Sequence, residues 1–201
     1  MNFLKKLGVE QFWLANIGCK WWDSPGEEAF GCEVLNLDWL APCERVGEFA
    51  ALVSKDTKLT EGYGKGRLVQ EASIVDAIGA PVAIVSLRSG VSGIKRGISD
   101  LMERFGSEIF ITCDIGGDCF FTGKETQVVS PLVDAISILC ASDLQVPGIF
   151  CVAGLGGDAE IPMSHLVRNM GIVTQKGGLL GAYGLTQEDV ELIGNLPINS
   201  R

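Results

Sequence analysis

The chain contains Gly-Gly-Asp twice, in CDIGGDCF (113–120) and in CVAGLGGDAE (151–160). Each copy follows an apolar run, IFIT at 109–112 and GIFCVA at 148–153, so each sets a carboxylate in a loop just past an expected buried strand. The glycines have an ordinary reason: a chain leaving a strand often turns through positive φ, which Gly adopts without steric cost. Asp118 and Asp158 do not follow from that need. With Asp114 and Asp134 they form the candidate catalytic set. The amides of Gly116, Gly117, Gly156 and Gly157 suit an anion such as phosphate. Carboxylates beside phosphate repel it unless a hard cation intervenes. The pairing therefore points to Mg²⁺ held by oxygen ligands, with Asp114, Asp118 and Asp158 as the expected metal ligands. Without a metal, the same groups could bond sugar hydroxyls, bind a cationic substrate or act as an acid–base pair. The residues leave these chemistries open.

Each candidate also has a plainer reading. Asp114 at a strand end can cap its own loop in an Asx-turn. Asp134 lies in the first turn of the apolar segment PLVDAISILC, where the helix N-terminus favours an acid by about 0.3–1 kcal/mol, yet burying it unpaired is costly. Ser130, Lys124, Glu125, Glu160 and Glu71 complete the expected ligand-binding set. Against that, Ser130 suits an N-cap before Pro131, Lys124 and Glu125 sit in a polar loop, and Glu71 opens a helix. His165, the single histidine, lies among apolar neighbours and reads as a packed or surface residue. No Ser–His–Asp or Cys–His relay is arguable from spacing. Cys113 and Cys119 flank the first loop with no evident base or cation to activate them. The loops contain neither G-x-x-x-x-G-K-[ST] nor G-x-G-x-x-G.

The elements that must position these residues repeat one unit. PVAIVSL (81–87) is followed by RSGVSG and by a segment whose Ile94, Ile98, Leu101, Met102 and Phe105 recur at helical spacing. Strand 108–113, its long loop and the helix SPLVDAISILCAS come next. Strand 148–154, the loop LGGDAEIP and the helix MSHLVRNMG, closed by Gly171, complete the series. Such alternation implies βαβ crossovers and a parallel sheet, with ligands beyond the carboxyl ends of the strands. Arg88, Ser89, Asp114, Asp118, Asp158 and Glu160 are then expected along one sheet edge. Earlier, FLKKLG reads as a helix end, EQFWLANIG as a strand, WWDSPGEE as a turn-rich loop, and 31–68 as irregular, with a helix before Lys55. QEASIVDAIGA (70–80) reads as a helix, TEGYGKG (60–66) as exposed, and Thr186 as a cap with Asp189 three residues on.

Composition narrows the classes. A chain of 201 residues, 47% hydrophobic and 20% charged, can bury one substantial core. A net charge of -9 repels nucleic-acid backbones and anionic membrane surfaces, so neither is an expected partner. No run approaches the length of a membrane span, and Glu10 and Gln11 interrupt any signal-peptide core. Seven cysteines without a C-x-x-C pair read as reduced core thiols, which favours the cytoplasm.

DIGGD, SPLVDA (130–135), VAGLGGDAE and GGLLGAYGLTQEDV (177–190), with QEA at 70–72 and SGVSGI at 89–94, together resemble a prokaryotic domain-of-unknown-function family. Its members carry D-[VI]-G-G-D, S-P-L-x-D-A and G-x-D-x-E motifs, and the resemblance runs from about residue 15 to 190. It implies a Rossmann-like α/β fold and no established reaction. Family members begin with a further strand and a Gly-rich loop, whereas this chain starts at what reads as the following helix. The expectation is therefore a single α/β domain over 1–201 lacking a first strand–helix unit, with a three-layer, mostly parallel sheet that includes strands near 12–17, 81–87, 108–113 and 149–153. The expected function is binding of a small molecule, read as Mg²⁺-dependent chemistry on a phosphorylated or nucleoside-like metabolite. The alternative is a non-catalytic binding or assembly module. An uncovered edge near the tryptophans of residues 1–40 implies a homo-oligomer or a complex with a second chain.

Overall fold

The computed structural model describes residues 4, 6, 8–22, 31–62, 64–128 and 131–194, with only the backbone described at 20–22, 31–33 and 192. The expected helix end at 3–8, much of the loop at 21–28, and Ser130 lie wholly or largely outside the described residues. The protein is mixed α/β and divides into two compact units. One comprises residues 1–105 and 183–201, the other 106–182.

The first unit is built on a four-stranded mixed sheet in the order β1-β6-β5-β4. Its strands are β1 (Leu14–Ile17), β4 (Leu40–Val46), β5 (Ala50–Leu59) and β6 (Val82–Val85). β1 runs parallel to β6, while β5 is antiparallel to both β6 and β4. A separate antiparallel ribbon joins β2 (Cys19–Trp22) to β3 (Gly31–Val34). The β4–β5 hairpin replaces the irregular region and the helix expected before Lys55. GEFAALVSK has a helix-compatible composition, but Gly47, at φ 63, turns the chain back so that Ala50 and Ala51 are wholly buried in the sheet. Tertiary pairing overrides local propensity there. Pro42, which cannot donate to a ladder, sits where the β4–β5 register shifts between Ala41 and Cys43.

Helices α1 (Gln70–Ile78) and α2 (Gly90–Phe105) flank β6, all four residues of which are buried. Val82 and Ile84 join Leu35, Leu37, Val53, Leu59 and Ala72 in the core. α2 presents Ile94, Ile98 and Leu101 as its buried stripe. A Cβ at its Gly97 would stand 2.8 Å from the Phe49 carbonyl oxygen, so this glycine permits the close approach of helix and chain. The short α5 (Gln187–Gly194) starts as expected: the Thr186 amide and hydroxyl both donate to Asp189 Oδ2, and the Asp189 amide donates back to Thr186 Oγ1.

The second unit contains β7 (Phe110–Ile115), α3 (Pro131–Ser142), β8 (Gly148–Ala153) and α4 (Met163–Gln175). β7 and β8 pair in parallel, Phe110 opposite Gly148 through Ile115 opposite Ala153. The strand–loop–helix order read from sequence holds for this unit. The single sheet expected to contain strands near 12–17, 81–87, 108–113 and 149–153 does not form. β6 has β1 on one flank and β5 on the other, so neither side of it remains for β7, and β7 and β8 pair as a sheet of their own. Arg88 and Ser89, which follow β6, accordingly belong to the first unit and not to the edge that carries the aspartates. α4 also runs through Gly171 to Gln175, because Gly171 does not adopt positive φ and the left-handed residue is Gly177. No described helix is long and apolar enough to cross a membrane. Cys19 is disulfide-bonded, which corrects the reading of all seven cysteines as reduced thiols; pairing depends on which strands the fold sets side by side, and composition and spacing along the chain do not show that.

Thr57 offers a test of the first unit. It is fully buried, its hydroxyl donates to the Pro42 carbonyl, and it accepts from the Ser54 amide at 2.8 Å. Thr57→Val keeps the volume and orphans both partners, so a loss of about 1–3 kcal/mol is expected in urea unfolding. An unchanged midpoint would show that water satisfies these groups instead.

Candidate functional site

The loop after β7 enters a short 3-10 turn at Asp118–Phe120 through two glycines of positive φ, Gly116 at 113° and Gly117 at 104°. That path folds the chain back over its own strand end. Asp114, the penultimate residue of β7, and Asp118 are both buried, at 8% and 5% exposure. α3 brings Asp134 to them from its first turn. Carboxylate oxygens of Asp114, Asp118 and Asp134 all lie within 4.8 Å of one another.

The second Gly-Gly-Asp has a different task. Asp158 accepts the Asp118 amide on Oδ2 at 3.2 Å and the Glu160 amide on Oδ1 at 3.3 Å. The Gly156 amide donates to the Gly116 carbonyl at 2.5 Å. One repeat thus braces the other, and Asp158 spends its oxygens on backbone amides rather than joining the three clustered carboxylates. A Cβ on Gly116 would stand 2.2 Å from Asp158 Oδ2, and one on Gly117 would stand 2.8 Å from Leu155. Gly116 is required both by φ and by the carboxylate packed over it, and Gly117 by φ and by Leu155. Gly156, at φ 81, likewise leaves room for Met163, and Gly157 donates to the Gly154 carbonyl.

Asn169 was not among the expected site residues. It is buried on α4, and its amide donates to the Phe120 carbonyl at 2.8 Å, fastening the 3-10 turn to α4. A polar residue inside the apolar stripe LVRNMGIV was the available signal. Leu166, wholly buried one turn earlier, packs beneath Gly117.

Burial and mutual repulsion set the electrostatics of the cluster. Asp134 is pushed up to about 7, first by burial, then by the charges of Asp118 and Asp114, and it donates a carboxyl hydrogen bond to Asp118. Asp118 is raised to about 6, again by burial first and then by Asp114. The favourable helix N-terminus at Asp134, worth about 0.3–1 kcal/mol, does not offset these. The other oxygen of Asp134, Oδ2, is buried with no hydrogen-bond partner. The Cys119 amide donates to Asp114 Oδ2 at 3.4 Å, and burial pushes the Cys119 thiol up. Cys113, although exposed, is pushed up to about 11 by partial desolvation of its thiol first and then by Cys151 beside it. Neither is an activated thiolate.

Of the other expected residues that the structure describes, Glu160 stands near enough to Asp118 for its charge to add to the upward push on that carboxyl. Glu125 folds back on its own loop, accepting from the Thr122 amide and hydroxyl and from the Lys124 amide, which holds it down at about 2. Lys124 is exposed. Glu71 belongs to the first unit, where it is buried and accepts from Asn16 Nδ2 at 2.6 Å.

A family model described as "Protein of unknown function (DUF1152)" matches residues 35–199, well over half of the chain. The chain belongs to this family. The DUF1152 match covers the whole second unit, including both Gly-Gly-Asp loops, α3 and α4. No curated protein and no solved structure matches the chain.

Two outcomes follow from this geometry. Gly116→Ala places a side chain at positive φ and displaces the Asp158 brace, at a cost of about 1–3 kcal/mol; a thermal midpoint equal to the parent's would contradict the brace. Because Asp118 and Asp134 hold protons in the folded state that an unfolded carboxyl releases near 3.8, the folded form binds more protons between about pH 4 and 7. Stability from these groups therefore falls as pH rises through that window. Asp134→Asn, in chelator-treated buffer, should flatten this decline and be more stable than the parent at pH 8. Parallel pH profiles of urea midpoints for the two proteins would refute the assignment.

Proposed function

We propose that the second unit binds a divalent cation, Mg²⁺, through Asp114, Asp118 and Asp134, and that the Gly-rich loops beside it take a phosphorylated or nucleoside-like small molecule. The observation that carries this reading is the buried, unpartnered Oδ2 of Asp134 against two further carboxylates within 4.8 Å. A buried acceptor without a donor is costly, and three acids drawn together repel one another unless positive charge is supplied. An all-oxygen set of hard carboxylates suits Mg²⁺ better than a soft metal. When bound, the ion would neutralise charge on a phosphate and polarise its oxygens. The chain's own part is to hold the three carboxylates in place through the Asp158 brace, the Asn169 tie and the first turn of α3. The parallel pair β7–β8, with a Gly-rich loop after each strand, is in keeping with a Rossmann-like arrangement of this unit.

The test is thermal unfolding at pH 7.5 with Mg²⁺, Mn²⁺ and Ca²⁺, alone and with a panel of nucleotides and sugar phosphates. Saturation at a hundredfold excess over Kd stabilises by about 2.7 kcal/mol. Asp118→Asn and Asp134→Asn should abolish the metal response. A flat response to all three ions in the parent protein would sink the proposal.

A second reading, assembly as a homo-oligomer, is favoured by the apolar residues Leu132 (63% exposed) and Leu139 (51%), seven apart on α3, and by Leu180 at 80%. Apolar surface of this kind is usually covered by a partner. Light scattering behind size exclusion should give at least twice the chain mass, with Leu132→Glu/Leu139→Glu returning it to monomer; a monomeric parent would contradict assembly.

A further inference from the structure

Cys113 and Cys151 occupy opposite positions in the parallel register of β7 and β8. In a parallel pair, residues in register point to the same face, so the two thiols stand side by side. Both are exposed. The other described free thiols sit elsewhere: Cys119 and Cys140 are buried away from this register position in the same unit, and Cys43 is half-buried on β4. Adjacent strands lie about 4.7–4.9 Å apart, inside the roughly 4.4–6.8 Å range that Cα atoms of a disulfide span. Side chains standing parallel at that spacing hold their Cβ atoms somewhat wider than the roughly 3.8 Å a relaxed disulfide prefers. A bond here closes with small backbone movement, stores strain and is readily reduced, which is the behaviour of labile rather than structural disulfides.

We propose that Cys113 and Cys151 are a reversible dithiol–disulfide pair that exchanges with a low-molecular-weight disulfide. One cysteine, as thiolate, attacks a sulfur of the small disulfide, forming a mixed disulfide and releasing one small thiolate. The second cysteine then attacks the protein sulfur of that mixed disulfide, closing the Cys113–Cys151 bond and releasing the other small thiolate. The two cysteine protons end on the two released thiols. The protein pair loses two electrons and the small disulfide gains them. The bond ties β7 to β8 across the sheet whether or not the neighbouring aspartates hold a cation, so the inference stands apart from the metal reading.

The experiment equilibrates the full chain in graded mixtures of oxidised and reduced glutathione. Free thiols are then trapped by alkylation in denaturant, and the peptides are mapped by mass spectrometry. The expected result is a linked peptide pair containing Cys113 and Cys151, with two hydrogens lost, filling over a defined range of ratios and emptied by dithiothreitol. Cys119 and Cys140 should remain alkylated throughout. In Cys151→Ser the reaction should stop at a persistent glutathione adduct on Cys113, and in Cys113→Ser at one on Cys151; circular dichroism establishes that both variants are folded. Because equilibrium is measured, slow exchange does not obscure the answer. A parent protein that shows only glutathione adducts, no oxidation at any ratio, or linkage of Cys113 to a different cysteine would overturn the proposal.

Discussion

Three carboxylates whose oxygens lie within 4.8 Å of one another in a largely buried place repel, and water cannot screen them fully. Such a cluster persists only if a proton, a donor or a cation compensates it. Burial and the neighbouring charges push Asp134 up to about 7 and Asp118 up to about 6, which favours a protonated carboxyl in the cluster and offsets part of the repulsion. The compensation is incomplete, because Asp134 Oδ2 has no donor at all. The surrounding structure tolerates this cost rather than avoiding it. The turn through Gly116 and Gly117, the brace from Asp158 and the tie from Asn169 all hold the acids together where a simple loop would let them spread into solvent.

The two Gly-Gly-Asp loops share a sequence and divide the labour. In the first, glycine at positive φ lets Asp118 turn inward toward Asp114. In the second, Asp158 turns toward the backbone of the first and occupies the space a side chain on Gly116 would need. Each loop's composition is explained by the other's position. Parallel pairing of β7 and β8 brings this about, since loops leaving parallel neighbours emerge at the same end and on adjacent paths.

Much of the second unit was legible in the sequence. β-branched runs bounded by glycines marked β7 and β8, and Pro131 marked the start of α3. Asp134 stood out because an acid in an apolar helix needs a reason. The role of Asp158 was not legible, because a ligand and a brace share the motif and differ only in which way the carboxylate points. Asn169 was missed because its partner, the Phe120 carbonyl, is distant in sequence. In the first unit, the capping box at Thr186 was local and therefore readable. The β4–β5 hairpin was not: helix-compatible residues at 48–55 form a strand because β6 and β4 offer ladders on both sides. That hairpin also separates the sheets, since β5 takes the flank of β6 that a continuous parallel sheet would have used.

A proton favoured by the clustered aspartates should be displaced by any divalent cation that binds them. Infrared difference spectroscopy of the carboxyl stretch, on the parent protein and Asp134→Asn in heavy water, reads this directly. A protonated carboxyl band is expected at about pH 6, where an ordinary aspartate is ionised; it should be weaker in the variant, where Asp118 remains raised, and vanish when Mg²⁺ is added. A parent spectrum with no protonated carboxyl at that pH, or a band that Mg²⁺ at saturating concentration leaves untouched, would contradict it.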